Sequence, residues 1–237
     1  MRVDSDTCIA CGNCVPYCPM GAITVDDVAV IDQQKCVDCG VCERSSGCPC
    51  DSLSQPVEPW PRSLRATFSN PLFEHKETRI PGRGTEEMKT NDVTGRYGHG
   101  YAGLALEMGR PGTGTTFRDV EKVAQALAKH GVEFEPKNPV TSLMVDRQTG
   151  RLNPEALDER VLSAIVEFRV PLTQLPAILE SVRKVSTQID TVFSLDIISR
   201  VAPDGSVPTV PLLQSLGLNP SINGKANIGL GRPLAEE

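Results

Sequence analysis

The chain has no cysteine after Cys50, few aromatic residues and no long apolar run. Aromatic residues make up 4% of 237 residues, which predicts modest hydrophobic cores. No apolar run approaches the roughly 18 residues that a membrane helix needs, so we expect no membrane span. The start, Met1-Arg2-Val3-Asp4, lacks the apolar stretch of a secretory signal, so we expect a cytoplasmic protein. The 24 basic and 30 acidic residues give a charge of −6, and without basic clusters this argues against nucleic acid as a partner.

All nine cysteines lie between Cys8 and Cys50. A disulfide scaffold normally staples a whole chain and uses an even number of cysteines. Crowded and evenly spaced cysteines in a chain without an export signal indicate metal ligands instead.

The cysteines form two copies of one motif. The runs are Cys8-x2-Cys11-x2-Cys14-x3-Cys18-Pro19 and Cys36-x2-Cys39-x2-Cys42-x5-Cys48-Pro49. The first three positions repeat with an offset of 28 residues and the fourth with an offset of 30, so the second copy carries two extra residues within Glu43–Gly47.

This spacing is typical of a 4Fe-4S cube, which needs four thiolates at its corners. Three cysteines two residues apart wrap a tight loop around three irons, while the following chain carries the fourth cysteine to the other cube. Zinc is the alternative, but zinc ribbons use pairs of cysteines, and triplets followed by Cys-Pro do not fit that pattern. We assign Cys8, Cys11, Cys14 and Cys48 to cluster one, and Cys18, Cys36, Cys39 and Cys42 to cluster two.

Residues 1–55 resemble the bacterial two-cluster (2×4Fe-4S) ferredoxin family on these motifs. The resemblance implies two 4Fe-4S clusters that pass single electrons. The ninth cysteine, Cys50, aligns with Met20, and we interpret it as a small apolar side chain beside a cluster. The alternative is that Cys50 replaces Cys48 as a ligand. Residues 1–55 carry a net charge of about −5, so an electron donor that docks here should present a basic surface.

The remaining chain divides into three parts. Prolines such as Pro56, Pro59 and Pro61 predict an irregular connecting arm over residues 56–100, either ordered on another surface or a flexible tether. Residues 101–207 show two β-α-β patterns about 60 residues apart, which predict a ferredoxin-like α/β sandwich. Residues 208–237 are predicted to be an irregular tail. The fold class is therefore α+β.

The periodicity of the third part predicts individual elements. They are strands over residues 101–108, 132–135, 141–145, 162–170 and 191–199, and helices over 116–130 and 173–187. In the first part, residues 22–25 and 28–31 are predicted to form a hairpin.

A second resemblance covers the run 82–96 and the segment Glu107-Met108-Gly109-Arg110-Pro111-Gly112. These residues look like the N-terminal part of 6-hydroxynicotinate reductase, an enzyme that reduces an N-heteroaromatic acid with ferredoxin electrons and a flavin. Those enzymes are about twice this length. The resemblance implies that this chain is the iron–sulfur half, and that a partner polypeptide bears the flavin; it identifies no catalytic residue.

Three functions are consistent with these patterns. The first is an iron–sulfur electron-transfer subunit of a cytoplasmic oxidoreductase complex, working with a flavoprotein or another catalytic subunit. The second is a self-contained reductase with flavin on this chain. The third is a redox-sensing regulator, because paired β-α-β units also resemble small-ligand-binding modules.

Overall fold

The structure is a computed structural model that describes residues 1–76, 79, 96–110 and 112–220. Most of the run that resembles 6-hydroxynicotinate reductase, residues 82–95, lies outside the described residues, as does the tail from residue 221. No helix in the described part of the chain is long and apolar enough to cross a membrane.

The N-terminal part contains two small antiparallel sheets, in which β1 pairs with β4 and β2 pairs with β3. Its elements are β1 (Arg2–Val3), β2 (Ile23–Val25), β3 (Ala29–Ile31), α1 (Val41–Ser45) and β4 (Leu53–Ser54). The predicted hairpin is confirmed as β2–β3. Each sheet joins a strand of one copy of the repeat to a strand of the other, so the chain crosses between the two copies after each cysteine run.

A four-stranded sheet dominates the larger C-terminal part, with the order β12–β5–β11–β7 and every neighbouring pair antiparallel. Its elements are β5 (Tyr101–Met108), β7 (Glu133–Phe134), β11 (Ala164–Pro171) and β12 (Phe193–Ser199), with helices α3 (Phe117–Ala128) and α5 (Leu175–Ser186). Each strand or helix lies within a few residues of its predicted position. Shorter strands are β6 (Thr115–Thr116), β8 (Met144–Asp146), β9 (Arg151–Leu152) and β10 (Arg160–Val161), and 3-10 turns span Val15–Tyr17, Pro154–Ala156 and Leu172–Gln174.

The core of this part lies between the sheet and the two long helices. Alternate residues of β5 and β11, among them Leu104, Leu106 and Phe168, are fully buried. They belong to the same cluster as Val120 of α3 and Ile178 of α5. The apolar face of each helix therefore packs on the apolar face of the sheet. Burial of each large side chain contributes about 2 kcal/mol to the free energy of unfolding.

The structure corrects the predicted strand over residues 141–145. The structure has helix α4 (Pro139–Ser142), and a strand begins only at Met144. The side chain of Asn138 accepts hydrogen bonds from the amides of Val140 at 2.8 Å and Thr141 at 3.4 Å, and Pro139 occupies the first helical position. These features start a helix, and they outweigh the strand preference of the short apolar run.

The connecting segment also contains a helix, α2 (Ser63–Ser69), where the prolines predicted none. That expectation was wrong because Pro59 and Pro61 precede the helix, where a missing amide donor costs little. Phe68 of α2 is buried and packs edge-on against Phe117 of α3, with ring centroids 5.0 Å apart. The C-terminal segment likewise contains α6 (Thr209–Ser215).

Candidate metal centres

The N-terminal part holds two cavities, each lined by cysteines from both copies of the repeat. Both cavities are partly open, and the empty space including their mouths is about 330 Å³ for cavity one and about 320 Å³ for cavity two. The cysteines of cavity one are Cys8, Cys11, Cys14, Cys48 and Cys50. Those of cavity two are Cys18, Cys36, Cys39 and Cys42. The structure therefore brings together each predicted set of four cysteines and adds Cys50 to the first.

The backbone of each cysteine run turns through left-handed conformations at equivalent positions. In the first run these are Ala10, with a φ of 54°, and Gly12, with a φ of 76°. In the second run they are Asp38 at 51° and Gly40 at 69°. Such turns wrap three cysteines around one cavity, and only glycine adopts the conformation without strain.

The fourth cysteine of each run reaches the opposite cavity through a short helical turn. A 3-10 turn over Val15–Tyr17 delivers Cys18 in an extended conformation. In the second copy α1 carries Cys42, and the chain then passes Gly47, with a φ of 57°, before Cys48. The two extra residues of the second copy are therefore absorbed in and after α1.

Backbone amides donate hydrogen bonds to cysteine sulfurs in both cavities. The amide of Ala22 lies 3.2 Å from Cys18 Sγ, and the amide of Ser52, at the equivalent position in the repeat, lies 3.4 Å from Cys48 Sγ. The amide of Ala29 lies 3.4 Å from Cys8 Sγ. Donors of this kind stabilise a thiolate and are one of the factors that set the reduction potential of an iron–sulfur cluster.

Burial raises the pKa of thiols in both cavities, including the pKa of Cys14 in cavity one. Burial raises the pKa of the Cys36 and Cys39 thiols and raises the pKa of Cys42 to about 12. Hydrogen bonds from the amides of Cys50 and Ser52 lower the pKa of Cys48 instead. Thiols buried in cavity two therefore keep their protons at neutral pH until a metal displaces them.

The donor set fits a group larger than a single ion. Among the described residues, no three His, Cys, Asp or Glu side chains converge closely enough to hold one metal ion. The cysteines line the walls of a cavity, whereas a zinc site needs four ligand atoms within about 2.3 Å of one centre. A thiolate-lined cavity of this kind suits an iron–sulfur cluster.

Cys50 has two neighbours inside cavity one. Its Sγ lies 3.9 Å from Cys48 Sγ and 3.1 Å from Ser52 Oγ. This position is compatible both with a side chain that packs beside a cluster and with an alternative ligand, so both interpretations of Cys50 remain open.

The first three cysteines of the two runs differ in their exposure to solvent. In cavity one Cys11 is exposed, and the neighbouring Ile9 is 65% exposed. In cavity two Cys36, Cys39 and Cys42 are all buried. Two side chains that the sequence patterns did not indicate contact the second cysteine loop and the residues before it. Gln55 Nε2 donates to the carbonyl of Asp38 at 2.6 Å, and Arg62 Nη1 of the connecting segment donates to the carbonyl of Gln33 at 3.0 Å.

Comparison with known proteins agrees with this chemistry. A family model described as a 4Fe-4S binding domain matches residues 1–24, which contain the first cysteine run. The pyruvate synthase subunit PorD of Methanothermobacter marburgensis is 38% identical over 56 residues, and the match covers 24% of this chain and 64% of that protein. The chain thus spans less than two thirds of that subunit. No solved structure matches.

The matches to ferredoxin-like proteins of two Azotobacter species cover a larger share of those proteins' own length. The ferredoxin-like protein in the vnf region of Azotobacter chroococcum mcd 1 is 36% identical over 62 residues, which are 24% of this chain and 95% of that protein. Its counterpart in Azotobacter vinelandii matches with the same identity and coverage.

The N-terminal part is a 4Fe-4S iron–sulfur domain of the ferredoxin type, a type of domain that carries electrons. Through this segment the chain belongs to the family of 4Fe-4S ferredoxin-like proteins.

Proposed function

We propose that the chain is the iron–sulfur subunit of an oxidoreductase complex and holds two 4Fe-4S clusters. The ligands of cluster one are Cys8, Cys11, Cys14 and Cys48, and those of cluster two are Cys18, Cys36, Cys39 and Cys42. The observation that carries the proposal is the pair of cavities, each lined by three cysteines of one run and the fourth cysteine of the other. When bound, such clusters accept and release single electrons.

The first test is metal content. Chain purified without oxygen should contain about eight iron and eight acid-labile sulfide, because two cubes of four iron are each held by four cysteines. Chemical analysis of iron and sulfide measures this, with zinc determined in the same sample. About four iron would contradict the second cluster, and stoichiometric zinc without sulfide would contradict both.

We place the electron donor at the face of cavity one. Cys11 and Ile9 are exposed there. The exposed carboxylate Asp6 is close to them in the chain, and the exposed Asp51 follows Cys50, which lines the same cavity. A donor with a basic surface that surrounds an apolar centre fits this face, because opposite charges steer the encounter and the apolar contact excludes water. Cluster two, whose ligands Cys36, Cys39 and Cys42 are buried, then takes the electron from cluster one.

The C-terminal part of the chain is where we expect a partner subunit to bind. We propose that residues 101–207 form a ferredoxin-like α/β sandwich, which the strand order β12–β5–β11–β7 and the packing of α3 and α5 on the sheet support. With the connecting arm, this domain contacts a flavin-bearing catalytic subunit. That one relative is a subunit of pyruvate synthase supports a place in a multi-subunit oxidoreductase. A cytoplasmic location and reduction of an N-heteroaromatic acid such as 6-hydroxynicotinate stay predictions from the sequence.

The second test concerns that partner. The purified chain alone should reduce no substrate, and a tagged chain recovered from its natural host without oxygen should bring down a flavoprotein. The physical reason is that cubes of this type move electrons and do not themselves bind an organic substrate. A monomeric chain that carries its own flavin and reduces a substrate would support the self-contained reductase instead. A small ligand that binds without turnover would support the regulator.

A further inference from the structure

Helix α2 holds the cysteine loop of cavity two through one arginine. Arg65 Nη1 donates hydrogen bonds of 2.7 Å both to the carbonyl of Gln33 and to the carbonyl of the predicted ligand Cys36. Arg65 is only 7% exposed, so these bonds lie in surroundings with little water. A guanidinium group is suited to this role because its planar fork presents several donors at fixed angles.

The other edge of the same guanidinium contacts the C-terminal part of the chain. Arg65 Nε forms an ion pair with the carboxylate of Glu159, which is itself mostly buried. The carbonyl of Glu159 in turn accepts a hydrogen bond of 3.1 Å from the amide of Phe117, the first residue of α3. A second link lies alongside, because the amide of Leu162 donates to Ser69 Oγ of α2 at 2.8 Å. Arg65 thus joins a cysteine loop directly to the domain that contains the four-stranded sheet.

In the part of the chain that the structure describes, cavity one has no equivalent link. The repeat relates Cys36 to Cys8, and among the described residues no arginine or lysine side chain donates a hydrogen bond to the loop from Cys8 to Cys14. The second loop, by contrast, also receives a hydrogen bond of 2.9 Å from Arg44 Nη2 to the carbonyl of Cys39. The second copy of the repeat therefore has arginine side chains hydrogen-bonded to its cysteine loop, whereas the first copy has none among the described residues.

We propose that Arg65 is a positioning residue for cluster two and that, with Glu159, it sets the reduction potential of that cluster separately from cluster one. The inference rests on the proposed pair of clusters. A reduced cluster carries one more negative charge than an oxidised one, so a cation fixed beside its ligand loop stabilises the reduced form. Glu159 opposes this effect, because its carboxylate lies on the far edge of the same guanidinium. Through Glu159 the C-terminal domain thereby acts electrostatically on cluster two.

The test uses three substitutions in the full-length chain purified without oxygen. With Arg65→Gln the midpoint potential of cluster two should become more negative, so that the ratio of reduced to oxidised cluster two at a fixed potential falls roughly tenfold, the size expected for loss of a buried unit charge. With Glu159→Gln the shift should have the opposite sign. With Arg65→Lys, which keeps the charge but loses the fork, the shift should be smaller than with Arg65→Gln. Redox titration followed by EPR measures both midpoints, and paramagnetically shifted cysteine proton resonances in NMR assign each to its cluster.

Arg118→Gln is the matched control. This arginine pairs with Asp158, next to Glu159 in the chain, and both side chains are largely exposed. Its removal changes the net charge of the protein by the same amount and should leave both midpoints in place. Unchanged midpoints in Arg65→Gln, equal shifts of both clusters, or shifts of the same sign in Arg65→Gln and Glu159→Gln would overturn the inference. If Arg65→Gln does not retain iron, the signs in Arg65→Lys and Glu159→Gln decide. A wild-type chain with clearly fewer than about eight iron would instead overturn the proposed function, before any variant is compared.

Discussion

Replacement of Cys18 by alanine is expected to abolish the cluster bound by Cys36, Cys39 and Cys42 and to spare the cluster nearest to it in sequence. The reason is that Cys18 lines cavity two, although it belongs to the first cysteine run. Iron content should fall from about eight to about four per chain, since a cube without its fourth thiolate is not retained. Cys48→Ala should have the reverse effect, with loss of the cluster bound by Cys8, Cys11 and Cys14.

Double substitutions identify which cluster is lost. If Cys18 and Cys36 serve the same cluster, Cys18→Ala combined with Cys36→Ala should cost no more iron than either change alone, whereas Cys18→Ala combined with Cys8→Ala should remove nearly all of it. Such non-additivity is the signature of groups that act as one unit. Cys50→Ala is the control and should keep both clusters. Loss of a cluster in Cys50→Ala while Cys48→Ala retains both would show that Cys50 is the fourth ligand of cluster one.

Removal of iron should unfold residues 1–55 and leave the four-stranded sheet folded. The apolar residues of the N-terminal core are few, and three of its nine buried members are cysteines that line the two cavities. Its buried members are Met1, Cys14, Ala22, Ile23, Ala29, Ile31, Cys36, Cys42 and Leu53. A core of this size does not support a fold without the binding energy of its metal. The sheet keeps its own core around Leu104, Leu106 and Phe168.

Hydrogen exchange before and after chelation of iron measures this difference. Amides in β1 to β4 should lose their protection almost entirely, while those of β5 and β11 should keep theirs. Return of iron and sulfide should restore the lost protection, which separates metal removal from chemical damage. Uniform loss of protection over the whole chain, or full protection of residues 1–55 without iron, would contradict the prediction.

Local patterns in the sequence were sufficient for the elements of the C-terminal part. The helix and strand periods of Phe117–Ala128, Leu175–Ser186 and Tyr101–Met108 are properties of neighbouring side chains, and the structure has these elements within a few residues of the predicted bounds. The same local reasoning failed at residues 139–142 and 63–69, where a capping side chain and buried tertiary contacts decide. Propensity is a weak guide wherever such contacts compete with it.

The sequence by itself predicted the chemistry of this protein: two cysteine runs have the spacing of 4Fe-4S ligands, and this pattern predicts that the fourth cysteine of each run serves the other cluster. Only the tertiary structure decided which side chains contact each of the two cysteine loops. Arg65 lies 29 residues from Cys36 and 94 residues from Glu159, and nothing in its neighbourhood in the chain distinguishes it from other arginines. Contacts over such separations depend on where α2 packs, and that position is set by the burial of Leu64 and Phe68 against the sheet domain.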